Sequence, residues 1–297
     1  MKKRYLCVMM IKWQTPVAEG KCPVPLHEGD DIMVLGSCFA DEIGRRLSEC
    51  GTDVCVNPFG TLYNPVSVCN SISRLQCGVP FTQEDCVEMG AGAGLVCSFS
   101  HHTSFARPTP EAFLANANAV LEVASARWKA SNRVLITLGT AWVYRHKESG
   151  EVVANCLKRP AGEFSRECLS VPQVTALLTS LVKRHAEKAF IFTVSPIRHL
   201  QDGAHANQLS KATLLLALEE VCAAFPDRTV YFPAYEILLD ELRDYRFYAE
   251  DMVHPSPQAI DYIWERFCDF ALPDSERQTL LDNVKAFRRM QHRPLAR

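Results

Sequence analysis

The chain has 297 residues, of which 47% are hydrophobic and 22% charged, enough to bury a large core and unlike the composition of a disordered protein. A formal net charge of −2 leaves no basic excess, which argues against nucleic acid or an anionic membrane as partner and for a small ligand. No stretch approaches the roughly 18 apolar residues of a membrane span.

The opening "MKKRYLCVMMIKWQTP" imitates a signal peptide, but its apolar run, Tyr5 to Ile11, is short, Lys12 follows, and no small-residue cleavage site appears. It reads as mature chain. Short apolar runs then recur: "DIMVLG" (31–36), "TDVCVN" (52–57), "RVLITLG" (133–139), "AFIFTVSP" (189–196) and "RTVYFPAY" (228–235). Nearly continuous apolar strands of this kind suit a parallel sheet covered on both faces. After the first comes "CFADEIGRRLSECG", with Phe39, Ile43 and Leu47 four apart and Gly51 as a stop, so a strand, a tight turn and a helix are expected. Further helices are expected at 110–128, 172–186, 206–224 and 257–271, with a polar helical tail over 273–297.

The alternation predicts a single α/β domain over 1–297, a three-layer sandwich with a core at about 31–271 around a parallel sheet of about five strands. Two insertions interrupt it, at about 77–108 and 143–170, and long insertions commonly cover or line a site. "GAGAG" at 90–94 lacks the lysine and the strand-to-helix setting of a phosphate loop and reads as a flexible tip. The 13 cysteines are odd in number, scattered and without CxxC pairs, which favours reduced thiols in a cytoplasm over a disulfide framework or a zinc site.

In open parallel sheets ligands bind beyond the carboxyl ends of the strands. Those ends carry Gly36, Ser37 and Cys38, then Gly60, then Gly139 and Thr140, then Arg198 and His199. A thiol at a helix N-terminus is expected to have a lowered pKa and to face an oxyanion-binding amide. Cys38 and Ser37 are rival nucleophiles there; the structural alternatives are a buried thiol for Cys38 and a helix cap for Ser37. Asp251 and His254 stand three apart before Ser256, an expected N-cap, and Pro257, an expected first helical residue, so the carboxylate can orient the imidazole. Adjacent His101 and His102 point to opposite faces of an extended segment, one expected to line the site and the other to be exposed. Arg198 and His199 either hold a substrate carboxylate or phosphate or form a surface ion pair. The stripe Leu214, Leu215, Leu218 and Val221 reads as core.

The blocks "GSCFA" (36–40), "NPFGTLYNP" (57–65), "TLGTAWVY" (137–144), "TVSPIRH" (193–199), "YFPAYEI" (231–237) and "DELRDYRFYAEDMVHPS" (240–256) resemble those of the GSCFA family from about Met33 to Phe267. That family is similar to the SGNH (GDSL-like) hydrolases. The resemblance implies a flavodoxin-like sheet of order 2-1-3-4-5, an esterase or acyltransferase, a small-molecule or saccharide acyl substrate, no metal and no cofactor. It places Asp251 and His254 on the late Asp-x-x-His block and Gly60 on the second-block glycine. In the first block, counting from Gly36 puts Ser37 at the aspartate position and Cys38 at the nucleophile. Where the third block of SGNH enzymes has Gly-x-Asn-Asp, this chain has Gly139, Thr140, Ala141 and Trp142, so part of the oxyanion hole falls to Thr140, to backbone amides or to an insertion residue. Two functions follow as expectations: an SGNH-like hydrolase or acyltransferase working on an ester or thioester, or a non-catalytic carbohydrate or acyl-ligand binding module on the same fold.

Overall fold

The computed structural model describes residues 14–18, 20–279 and 282–283. The apolar run Tyr5–Ile11 lies outside them, as does most of the expected tail, of which 274–279 are helical. In chain order, β1 (Ile32–Gly36) leads into α1 (Cys38–Glu49), followed by β2 (Val54–Val56) and α2 (Pro65–Cys77). The short strands β3 (Val87–Glu88) and β4 (Val96–Cys97) pair as a hairpin before α3 (Pro110–Ala130) and β5 (Arg133–Leu138). Next come β6 (Trp142–His146), β7 (Val152–Val153), β8 (Phe164–Cys168), α4 (Val171–Arg184) and β9 (Ala189–Val194). Then follow α5 (Gly203–Ala224), β10 (Thr229–Tyr231), the single turn α6 (Ala234–Glu236) and α7 (Pro257–Ala271).

Five strands form one parallel sheet in the order β10-β9-β5-β1-β2. Counted along the chain this is 2-1-3-4-5, the flavodoxin-like order that the resemblance implies. Strand alternation divides the core. Met33 and Leu35, Val134 and Ile136, and Phe190 and Phe192 pack with residues of α2, α3, α4 and α5 on one face. Ile32, Val34, Leu135 and Ile191 pack with α1 and α7 on the other. Phe39, Ile43 and Leu47 of α1 are buried as the four-residue spacing requires, and each such side chain contributes about 1.5–3 kcal/mol when withdrawn from water.

Helix α2 is not among the expected elements, although its signals are orthodox: Asn64 caps it, Pro65 opens it and Gly78 closes it in the left-handed region. Its serines and asparagine dilute the apolar stripe that periodicity detects. The fifth strand stops at Tyr231 instead of continuing to Tyr235, because Pro233 has no amide to give the ladder and Ala234 begins a helical turn. The insertion at 143–170 folds into a three-stranded antiparallel sheet, β7-β6-β8, in which Trp142 pairs with Cys168 and His146 with Phe164. In the other insertion Gly90 donates to the Leu157 carbonyl, so the "GAGAG" segment leans on the neighbouring insertion at its start. Among the described residues no helix is long and apolar enough to cross a membrane.

Candidate active site

A cleft of about 580 Å³ opens at the carboxyl end of the sheet, lined by Cys38, Thr140, Arg198, His199 and His254, with a wall from the β6-β7-β8 insertion. The chain reaches it first through Gly36, whose φ of +133 and whose approach to the Thr137 carbonyl leave no room for a Cβ, which would lie 2.0 Å from that oxygen. Asn57 Oδ1 accepts from the Gly36 amide at 2.8 Å, and its Nδ2 donates to Asp41 Oδ1 at 2.6 Å, tying the end of β1 to the first turn of α1.

Ser37 and Cys38 then part in role. Ser37 is buried and its Oγ accepts from the Phe39 amide at 3.3 Å, so it caps α1. Cys38 faces the cleft. The expected lowering of its pKa is not found: burial, helped by the neighbouring Asp41 carboxylate, pushes the thiol up to about 11 against the pull of the Cys38 and Phe39 amides. Loss of hydration at a half-buried turn outweighs what two amide dipoles return. The thiol is therefore protonated at neutral pH and needs a base to become a nucleophile.

His254 lines the same cleft. His254 Nδ1 lies 2.6 Å from Asp251 Oδ2, while Asp251 Oδ1 accepts from the amides of Val253 at 2.9 Å and His254 at 3.0 Å. The His254 amide, the imidazole and the Val253 amide hold the Asp251 carboxyl down to about 2. With Nδ1 engaged, Nε2 is the nitrogen left to exchange a proton. The loop is fixed on both sides: Ala249 donates to the His254 carbonyl at 2.8 Å, and Ser256 caps α7 with Pro257 in its first turn, as the sequence predicts. Arg198 binds the Met252 carbonyl through Nε at 3.0 Å and also through Nη2, and its guanidinium lies 4.1 Å from the Tyr248 ring centroid. Instead of pairing with a surface carboxylate, Arg198 holds the loop that carries the histidine, from a place on the cleft wall.

Beneath the cleft, α5 presents polar groups on its buried face. Asn207 Oδ1 accepts from the His199 amide at 2.9 Å, and Ser210 Oγ accepts from the Ala141 amide at 2.8 Å and meets Thr140 Oγ1 at 3.0 Å. Lys211, fully buried, donates to the carbonyls of Gly139 at 2.6 Å and Ser195 at 2.8 Å, joining the ends of β5 and β9. Burial lowers the Lys211 amine to about 7, although the Cys38 sulfur, when ionised, favours its charged form. His199 is lowered to about 4 by burial and by Lys211 and is neutral. None of Asn207, Ser210 and Lys211 is among the expected site residues. Their signal was present: they continue the Leu214, Leu218 and Val221 stripe toward the helix start, on the face that must be buried.

Two expectations fail. Gly60 does not line the cleft; its amide donates to the Asn57 carbonyl at 2.7 Å, and with φ +80 it gives way to His102, whose Cβ would stand 2.4 Å from an added Cβ. His101 is fully buried away from the cleft, its Nδ1 2.6 Å from Ser98 Oγ and its ring among Phe59, Phe81, Phe105 and Phe113. Aromatic burial lowers it to about 3, so the paired histidines serve packing and a turn, His102 capping Thr103–Phe105. The insertion at 77–108 likewise contributes nothing to this cleft, whereas that at 143–170 forms its wall.

Among the described residues no three His, Cys, Asp or Glu side chains gather as metal ligands. Comparison with curated proteins and with solved structures gives no match. The sequence matches the GSCFA family over residues 31–267, a span that holds every strand of the sheet, Cys38 and the Asp251–His254 pair, and the chain belongs to that family.

Proposed function

We propose that the protein is an SGNH-like hydrolase or acyltransferase that takes an acyl group from an ester or thioester onto Cys38. The observation that carries this reading is the Asp251–His254 pair, held at 2.6 Å on the rim of the cleft that Cys38 faces. The sheet order and the Asp-x-x-His just ahead of the last core helix support placement beside the SGNH enzymes.

In this reading His254 Nε2 removes the Cys38 proton as the sulfur attacks the acyl carbonyl, and a C–S bond forms. Asp251 holds the ring in the right tautomer and stabilises the imidazolium. The carbon–heteroatom bond of the donor then breaks, and the leaving alkoxide or thiolate takes the proton from His254. Water or an acceptor hydroxyl, deprotonated by the same nitrogen, attacks the acyl thioester and restores the thiol. A thiol nucleophile suits transfer from a thioester better than plain hydrolysis.

The missing asparagine of the third block leaves the oxyanion to other donors. Thr140 Oγ1 accepts from the Trp142 amide at 3.1 Å, and if Ser210 donates to it, its own proton is available to the cleft. We assign that donor to Thr140, with the α1 amides beside it. We further propose a reducing cytoplasm as its location, a reading supported by the odd number and scatter of its 13 cysteines.

The test compares wild type, Cys38→Ala, Ser37→Ala, His254→Ala and Asp251→Asn on a panel of thioesters and activated esters, with thermal melts as control. Loss of turnover by at least ~10³-fold is expected for Cys38→Ala and His254→Ala, and a smaller loss for Asp251→Asn, because the orienting carboxylate contributes less than the base. Equal rates in all five proteins would refute catalysis and leave a carbohydrate or acyl-ligand binding module. Loss in Ser37→Ala with Cys38→Ala unaffected would move the chemistry to the hydroxyl.

A further inference from the structure

The cleft holds few free charges. Arg166 pairs with Asp202 and lies 4.3 Å from the Trp142 ring centroid, so this cation and this anion neutralise each other within the wall. Arg198 is turned onto the Met252 carbonyl and the Tyr248 ring, and His199 is neutral. What remains is uncharged and mostly apolar, with Asn64, Asn155 and Gln201 as its amides, and apolar side chains continue past the mouth. Of the eight exposed large hydrophobic side chains among the described residues, Tyr144 and Leu200 line the cleft, Met252 lies within the Asp251–His254 loop, and Tyr245 stands against Arg198 of the cleft wall. Four of these eight side chains thus lie at or beside one opening, where apolar patches commonly mark binding. The volume of about 580 Å³ falls within the range of small-molecule sites.

We propose that the cleft takes an uncharged acyl chain of medium length, hexanoyl to decanoyl, laid against Trp142, Tyr144, Val153, Ile197, Leu200 and Val253. This inference rests on the acyl-transfer reading for its chemistry, but not for its binding. The carbonyl end lies toward Cys38 and Thr140, and the chain runs outward along the insertion wall to Leu200 at the mouth. Binding strength then grows with chain length, because each methylene leaves water for a wall that covers one of its sides.

Two measurements on the whole protein separate the inference from the reading beneath it. N-butyl-, N-hexyl- and N-octylacetamide, which carry no scissile ester, are titrated by calorimetry into wild type and Leu200→Asp. Leu200 is 39% exposed, so the substitution leaves the core intact. Kd should fall by about two-fold per methylene, roughly 16-fold from butyl to octyl, the one-sided burial giving about half the free energy of full transfer. In Leu200→Asp the same span should shrink to roughly 4-fold. A Kd independent of length, or an octyl analogue ending in a carboxylate that binds more tightly than octyl itself, would overturn the proposal, the latter by making Arg198 a reader of charge. In parallel, 4-nitrophenyl esters from acetyl to decanoyl are assayed for kcat/KM. Length-dependent binding without turnover of any ester leaves the proposed chain site standing and removes the acyl-transfer reading. Turnover that is fastest for acetyl, with flat binding, does the reverse.

Discussion

Replacing Lys211 by methionine removes two hydrogen bonds and one buried amine, and the two effects differ in their dependence on pH. The methionine keeps the apolar stem but leaves the Gly139 and Ser195 carbonyls, now met at 2.6 and 2.8 Å, without their donor. An unsatisfied buried polar group costs roughly 1–3 kcal/mol, so with two of them the variant should lose roughly 2–6 kcal/mol in the limit where the amine is neutral in both the folded and the unfolded chain. The amine titrates near 7 in the folded protein against 10.5 in the unfolded chain. Below pH 7 both states are protonated, and the wild type bears the full cost of a buried charge. Between pH 7 and 10.5 the unfolded chain binds a proton that the native state lacks. Wild-type stability therefore rises with pH by about 1.4 kcal/mol per unit across that window. From pH 6 to pH 8.5 the stability difference between wild type and Lys211→Met should shift by about 2 kcal/mol in favour of wild type. Buried thiols titrate in the opposite sense at higher pH, but they are common to both proteins and cancel in the difference. Urea denaturation at the two pH values, with equal m-values as control, reads the gap directly. A gap that does not change with pH would refute the buried low-pKa amine.

The Cys38 thiol, raised from 9.0 to about 11, should react with iodoacetamide at pH 7.5 about 100-fold more slowly than the same thiol in the unfolded chain, access being equal; peptide mapping of native against urea-unfolded protein checks this, and fast native labelling of Cys38 would contradict the dominance of burial. Ser37→Ala should remove the cap of α1 at a cost of about 1 kcal/mol, seen as a fall in Tm of roughly 2–4 °C, while turnover, if present, persists. Gly60→Ala forces φ +80 on an alanine and a Cβ onto His102, which should cost about 2–4 kcal/mol in urea melts; a neutral result would mean that the His102 segment yields freely.

The parts of the fold that were legible in the sequence are those where polarity and burial agree. Five apolar runs gave five parallel strands, and Ser256 with Pro257 marked the start of α7 to the residue. The Asp251-x-x-His254 spacing also carried over directly into a hydrogen-bonded pair. Legibility failed where polar side chains are buried on purpose. Asn207, Ser210 and Lys211 share the buried stripe of α5 by spacing, but their polarity reads as surface until the carbonyls and amides they satisfy are in place, and those partners come from residues 139–141, 195 and 199. His101 failed in the same way, as a polar residue inside an aromatic box. The raised Cys38 pKa is not legible in the sequence, because a helix N-terminus is visible there, whereas the depth of the turn and the nearness of Asp41 are tertiary facts.

The insertion that walls the cleft leaves and rejoins the core at neighbouring points: Trp142 and Cys168 are cross-strand partners, and the Leu169 amide donates to the Ala141 carbonyl at 2.9 Å. A segment with adjoining ends behaves as a cassette, exchangeable through a short turn without displacing β5, α4 or the Asp251–His254 loop. The wall that this cassette gives the cleft is therefore separable from Cys38 and the Asp251–His254 pair, and a different cassette grafted between Ala141 and Leu169 would reshape what the cleft admits while leaving those residues in place.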